Sequence, residues 1–304
     1  MKKFLFLGIA ATAMFASCTN DEMVEMNPQS AIGFETFVDK STRATDILAS
    51  TLDEFKVWAY QGTTAILSDE QVTKSGSDWE YTKTAYWVKE QTYNFHAIAP
   101  VDCETGDSYT YNGTSAAPSI QFTNGVGLTD LIYAGASRTC DNPSTETAVA
   151  LSFGHLLSRV KFSFTESFPN DHITVAVSEL KISGVVSEGT YDGTNWTIDS
   201  TPSTVDYTFT GNQSTAWNNS SSSDHLYFIP TTQNLVISFT VKAYQDGQEF
   251  ASKDHTYTIS QAMQAGLSYN LTADFNANSV EGDYPIVFTA VVSGWNDFSE
   301  VTIP

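Results

Sequence analysis

Positive charge is scarce in this chain, and arginine scarcer still. Fourteen lysines and arginines face 35 aspartates and glutamates, a formal charge of −21. A surface of that sign repels polyphosphate, which excludes nucleic acid and an anionic bilayer as partners held by charge. Long apolar runs are also missing. Only Phe4 to Phe15 is nearly unbroken, and about a dozen residues is the length of a signal-peptide core rather than of a membrane span. Helical periodicity is almost absent, which argues against bundles and coiled coils. Catalytic signatures are lacking too: there is no G-x-S-x-G, no H-E-x-x-H and no C-x-x-C. The five histidines, His96, His155, His172, His225 and His255, are scattered. His155, inside "FGHLLSRV", reads as a hydrogen-bonded residue at a strand entry rather than as a general base. "YDGTNWTID" lacks the calcium-loop spacing and reads as a hairpin. No carboxylate pair is singled out. The sequence therefore assigns no catalytic residue, no metal site and no cofactor.

Cysteine is sparse, with three residues. Cys18 follows Lys2 and Lys3, the apolar run, and the small residues Ala16 and Ser17. That order has the form of a bacterial lipobox, with Phe15 where leucine is more usual. We expect residues 1–17 to be a signal peptide and Cys18 to carry lipid, anchoring the chain to the outer membrane through more than one acyl tail. Cys103 and Cys140 then remain. A disulfide and two separate thiols are both compatible with export, and the second is preferred, because a chain this long needs no staple.

What the chain does have is alternation. Aromatics make up 13% and charged residues 16%, too apolar for disorder. "FKVWAY" sets Phe55, Val57 and Ala59 on one face and Lys56, Trp58 and Tyr60 on the other. Val149, Leu151 and Phe153 alternate, as do Val160, Phe162 and Phe164. In the last apolar run Ile286, Phe288, Ala290 and Val292 share a face. Asp192-Gly193 and Asp246-Gly247 are hairpin signals. Strands at this spacing predict an all-β chain of sandwiches or barrels. We expect a strand around Tyr86–Val88, a surface loop over the Ser-rich Gly211–Asp224, one helical turn ending at Gly266 and a domain break near Pro143–Thr147. Of the six tryptophans, Trp217 is the one expected to be exposed.

Several stretches occur together and in order: the Cys18 lipobox, "TRAT" at 42–45, "YWVKEQTYNFHAIAP", "LSFGHLLSRVKFSF", "LYFIPTTQNLVISF", "AGLSYNLTADF" and "FTAVVSGWND". This set resembles the Bacteroidetes fimbrillin family, the type V pilin-like proteins. The resemblance implies two tandem transthyretin-like β-sandwich domains, export as a lipoprotein and assembly into surface fimbriae that support adhesion. It implies no enzymatic activity, and partners among other fimbrial subunits and surface glycans or proteins. It also implies cleavage by an arginine-specific protease after Arg43, with Ala44 as the new N-terminus.

The residues around Arg43 fit that expectation. "AIGFETFV", 31–38, is a strand candidate with Ile32, Phe34 and Phe37 as apolar anchors. The Ser/Thr-flanked "STRATD" suits a protease-accessible segment. We therefore expect a signal peptide over 1–17, a lipidated pro-segment with a removable strand over 18–43, one sandwich over 44–145 and a second over 146–304. The end of the chain, "NDFSEVTIP", alternates Val301 and Ile303 and is the expected donor strand. The other reading open from the sequence is a surface lipoprotein that binds glycans without polymerising.

Overall fold

The computed structural model describes residues 30–38, 46–48, 50–168, 172–212, 214–216, 220–276 and 288–295. The chain is all-β. Its first half forms β1 (Phe34–Val38), β2 (Glu54–Gln61), β3 (Thr64–Ser75), β4 (Asp78–Tyr81), β5 (Thr92–Ala99), β6 (Asp107–Tyr111), β7 (Ile120–Asn124), β8 (Ile132–Thr139) and β9 (Val149–His155). Its second half forms β10 (Ser158–Glu166), β11 (Ile173–Val186), β12 (Glu188–Tyr191), β13 (Trp196–Thr197), β14 (Thr204–Thr208), β15 (Gly211–Asn212), β16 (Ser214–Ala216), β17 (Ser220–Ser223), β18 (Leu226–Phe228), β19 (Leu235–Gln245), β20 (Gln248–Ile259), β21 (Leu267–Phe275) and β22 (Phe288–Gly294).

A seven-stranded sheet, ordered β1-β9-β8-β5-β2-β3-β4, curls around the first core. Alternation in β2 explains its place there. Phe55, Val57 and Ala59 are fully buried in that core, while Trp58 faces the other way into a second apolar layer. The four-stranded sheet β13-β12-β7-β6 covers that layer with Ile120 and Phe122. Leu156, Leu157, Tyr227 and Trp295 reach into the same layer from the second half of the chain. Two further sheets, β15-β17-β10-β21-β22 and β14-β11-β19-β20, pack face to face around Phe162, Phe164, Ile237, Phe239, Leu271 and Phe275. Sheets stacked on one apolar layer form a sandwich.

The chain passes Pro143–Thr145 in a 3-10 turn capped by Asn142, and Arg138 pairs with Glu146 at 2.7 Å beside it. Strand β9, beyond this point, still joins the first sheet; β10 is the first strand of the second half. Asp246 and Gly247 have φ of +51° and +81°, the paired positive values of a tight primed hairpin. At Asp192-Gly193 only the glycine is left-handed, and Asp192 Oδ1 accepts from the Thr194 and Asn195 amides.

Three local expectations change. The Ser-rich stretch is not a loop: β15 and β17 pair with each other, β17 pairs with β10 and β16 with β11. Ladder bonds come from the backbone, so an edge strand needs no apolar side chains. Residues 261–266 form no helix; a turn with Gly266 at φ +69° leads into β21. Around Tyr86 there is a single β-bridge rather than a strand. Trp217 lies outside the described residues. Cys103 and Cys140 are free thiols, and burial pushes Cys103 up to about 11.

Candidate functional site

The segment 31–38 was legible as a strand, of which Phe34–Val38 is β1 and Ala31 an isolated bridge to Tyr86, and its surroundings explain its importance. Strand β1 pairs in parallel with β9, from Phe34 opposite Val149 to Val38 opposite Phe153. Every other pairing in the seven-stranded sheet is antiparallel. Just upstream, the same segment bonds to a different neighbour. The Ile32 amide donates to the Ala85 carbonyl at 2.9 Å, and the Trp87 amide donates to the Ser30 carbonyl at 3.0 Å. The Tyr81 hydroxyl donates to the Ile32 carbonyl at 2.7 Å. Residues 30–38 thus bridge β9 to the chain following β4 and close the curl of the sheet.

Period-two alternation fixes which side chains this stave buries. Ile32, Phe34 and Val38 face the core at 1%, 5% and 8% exposure, while Phe37 is 54% exposed. The third anchor is therefore Val38 and not Phe37, because 32, 34, 36 and 38 share a face. The Phe34 ring meets Phe55, Tyr81 and Phe95 at centroid distances of 5.9, 5.6 and 6.0 Å. Burying three such side chains stabilises by roughly 5–9 kcal/mol. That is comparable to the whole stability of an ordinary domain, about 5–15 kcal/mol. Without this segment the sheet has an apolar slot flanked by unpaired backbone on β9 and on 85–87.

A second feature lies beside the end of that slot. β9 ends at His155, whose Nδ1 is 2.9 Å from Asp130 Oδ1; both side chains are buried. The other oxygen of Asp130 accepts from the Ile47 amide at 2.8 Å. The Trp295 ring stacks on His155 with centroids 4.1 Å apart. The Arg159 guanidinium lies over the same indole, 4.8 Å from its centroid. Arg159 is fully buried, pairs with Asp46 and donates to the Trp295 carbonyl. Its Nε donates to Ser268 Oγ at 2.6 Å, and the Tyr227 hydroxyl donates to Asp46 Oδ1 at 2.8 Å.

The structure thus gathers β1, the chain resuming at Asp46 and the last described residue, Trp295, around the end of β9. Cys18, Arg43, Ala44 and the tail 296–304 lie outside the described residues. Sequence reasoning read His155 as a hydrogen-bonded residue but missed Asp46, Arg159, Tyr227 and Trp295 as a group. The signal available for it was an arginine, one of only three in the chain, on a strand rich in buried apolar residues.

The sequence model of the family described as fimbrillin-like matches residues 42–295. The fimbrium subunit Fim1C of Phocaeicola vulgatus is 28% identical over 185 residues, covering 51% of this chain and 49% of that protein. The match thus spans about half the length of this curated relative. A crystal structure of a fimbrial protein from Bacteroides vulgatus superposes with a TM-score of 0.65 at 17% identity, covering 88% of this chain and 99% of that one. At that identity the likeness speaks for the fold.

Proposed function

The chain belongs to the fimbrillin-like family, and from that premise we propose that it is a non-catalytic structural subunit of a cell-surface fimbria, assembled by strand exchange and supporting adhesion. In this reading residues 1–17 are removed on export and Cys18 is lipidated, delivering the subunit to the outer membrane. Cleavage after Arg43 then frees a subunit that begins at Ala44. Strand 30–38 departs with the pro-segment, and the tail 296–304 of another copy or of an accessory subunit takes its slot. The mature chain comprises two tandem sandwich units, with β9 completing the first sheet and β12, with β13 beside it, pairing back onto β7 of the first unit. Other fimbrial subunits are the assembly partners, and surface glycans or proteins are the partners in adhesion.

One observation carries this reading. The 30–38 segment forms a stave of the first sheet that ends a few residues ahead of Arg43, so that a cut there would leave it held only by non-covalent contacts. Strand replacement of this kind is β-augmentation, and a head-to-tail contact that does not close gives a filament. Arg138 lies within β8 and Arg159 is fully buried in β10, so the folded subunit shields both from the protease.

The test is to treat the purified chain with an arginine-specific protease and to follow the N-terminus, the gel pattern and the particles in the electron microscope. The expected result is a start at Ala44 followed by ladders and filaments that vanish when 296–304 is deleted. A cut subunit that stays monomeric at high concentration would contradict it. Polysaccharide binding by that monomer would favour the non-polymerising lipoprotein.

A further inference from the structure

Arg159 is a fully buried charge in the middle of a sheet. In the sheet it lies between Tyr227 of β18 and Ser268 of β21, in register with both. Next to it, Val160 points into the apolar core of the sandwich. Tyr227, Arg159 and Ser268 form a row across the sheet, and both partners are buried, at 2% and 0% exposure. Two stretches of chain meet on that row. Asp46 binds Arg159 and the Tyr227 hydroxyl, and His225 Nε2 lies 3.4 Å from Asp46 Oδ1. Trp295 gives its carbonyl to Arg159, while its own amide donates to the Gly266 carbonyl at 3.1 Å. One guanidinium thus holds the chain just past Arg43 and the residue from which the tail departs.

The geometry points to Arg159 as the positioning residue for the donor tail, with Asp46 as its keeper. This rests on the assembly reading above and adds a part to it. A buried guanidinium is tolerable where a carboxylate balances it, and removing one member of such a pair strands the other's charge. Asp46 therefore keeps Arg159 in place, and Arg159 in turn fixes the Trp295 carbonyl and the indole lying on His155. The residue that precedes the tail is thereby fixed. A donor segment whose root is already ordered loses less freedom when it docks. The slot is lined by β9 from Val149 to Phe153 and by the 85–87 stretch, and the clasp touches β9 only at its last residue, His155, so the clasp serves donation and not acceptance.

That asymmetry is the test. An uncut chain still holds its own strand 30–38 and acts only as a donor. A chain cut after Arg43 that ends at Trp295 has an open slot and no tail, and acts only as an acceptor. Mixing the two forms a heterodimer, whose rate is read by light scattering or native gel. Asp46→Asn in the donor slows dimer formation by about tenfold, the effect of roughly one poorly ordered anchor. The same substitution in the acceptor leaves the rate unchanged, which a merely structural role for Asp46 would not do. In the donor, quenching of tryptophan fluorescence by acrylamide rises as the indole of Trp295 loses its cover. Tyr227→Phe, which removes one hydrogen bond to Asp46, gives a smaller change of the same pattern and serves if Asp46→Asn does not fold. Equal slowing in both arms, or in neither, overturns the positioning role while leaving strand exchange intact. Failure of the wild-type pair to form any dimer overturns the assembly reading, and the clasp with it.

Discussion

Two phenylalanines on one short strand provide a sharp comparison. Phe34 and Phe37 lie three residues apart, yet one is 5% exposed among Phe55, Tyr81 and Phe95 and the other is 54% exposed. Truncating a buried phenylalanine costs about 3–5 kcal/mol, from lost burial and from the cavity left behind. A substitution on an open surface stays within about 0.5 kcal/mol. For a chain of this size each kcal/mol shifts the melting temperature by about 2–4 °C. Phe34→Ala should therefore lower the melting temperature of the uncut protein by about 6–20 °C, and Phe37→Ala by about 2 °C or less. Differential scanning calorimetry reads both, and hydrogen exchange at the Val149–Phe153 amides reports whether β1 has left β9. Equal shifts for the two variants would refute the described register of β1. A large shift for Phe37→Ala alone would mean that the strand sits one residue out of step.

Other parts of the fold make their own predictions. His96 is buried, its Nδ1 2.8 Å from the Tyr133 hydroxyl and its Nε2 3.3 Å from the Ser115 carbonyl, and desolvation holds it below the ordinary histidine range. Its folded-state value lies below its unfolded one, so the stability it contributes is complete above about pH 6.5 and falls as the pH drops through that value; chemical denaturation at pH 7.5 and pH 5.0 should show the loss, and His96→Gln should reduce it. Gly127 has φ +71°, and a Cβ there would meet the Tyr207 ring at 2.6 Å; Gly127→Ala should cost about 1–3 kcal/mol in a urea titration. Cys103 is half-buried with its thiol pushed up to about 11, and Cys140 is buried, so neither should react quickly with a thiol reagent at pH 8 until the protein unfolds; rapid labelling of Cys140 in the native chain would contradict its buried position.

Much of the fold was legible where one strand's own alternation decides it. Phe55, Val57 and Ala59, and then Val149, Leu151 and Phe153, fall on buried faces as their spacing requires. Asp246-Gly247 turns the β19–β20 hairpin because both positions accept positive φ. The strand ahead of Arg43 was legible too, but its third anchor was not. Phe37 drew attention by size, whereas position in the pleat selects Val38. The Ser-rich strands were hidden because their bonds come from backbone and their side chains carry no apolar signal. The clasp was hidden for a different reason. Asp46 and Trp295 lie 113 and 136 positions from Arg159, and only the tertiary fold brings them together. A sequence window cannot register contacts at that separation.

Assembly of the proposed kind requires that another chain can replace the stave 30–38. The most direct measurement adds a synthetic peptide of residues 30–38 in excess to the subunit freshly cut after Arg43, and follows mass by light scattering. We expect the peptide to bind the vacant slot and hold the subunit as a monomer, while the same peptide carrying Phe34→Ala fails and assembly proceeds. Assembly at the same rate with and without the unmodified peptide would contradict the account.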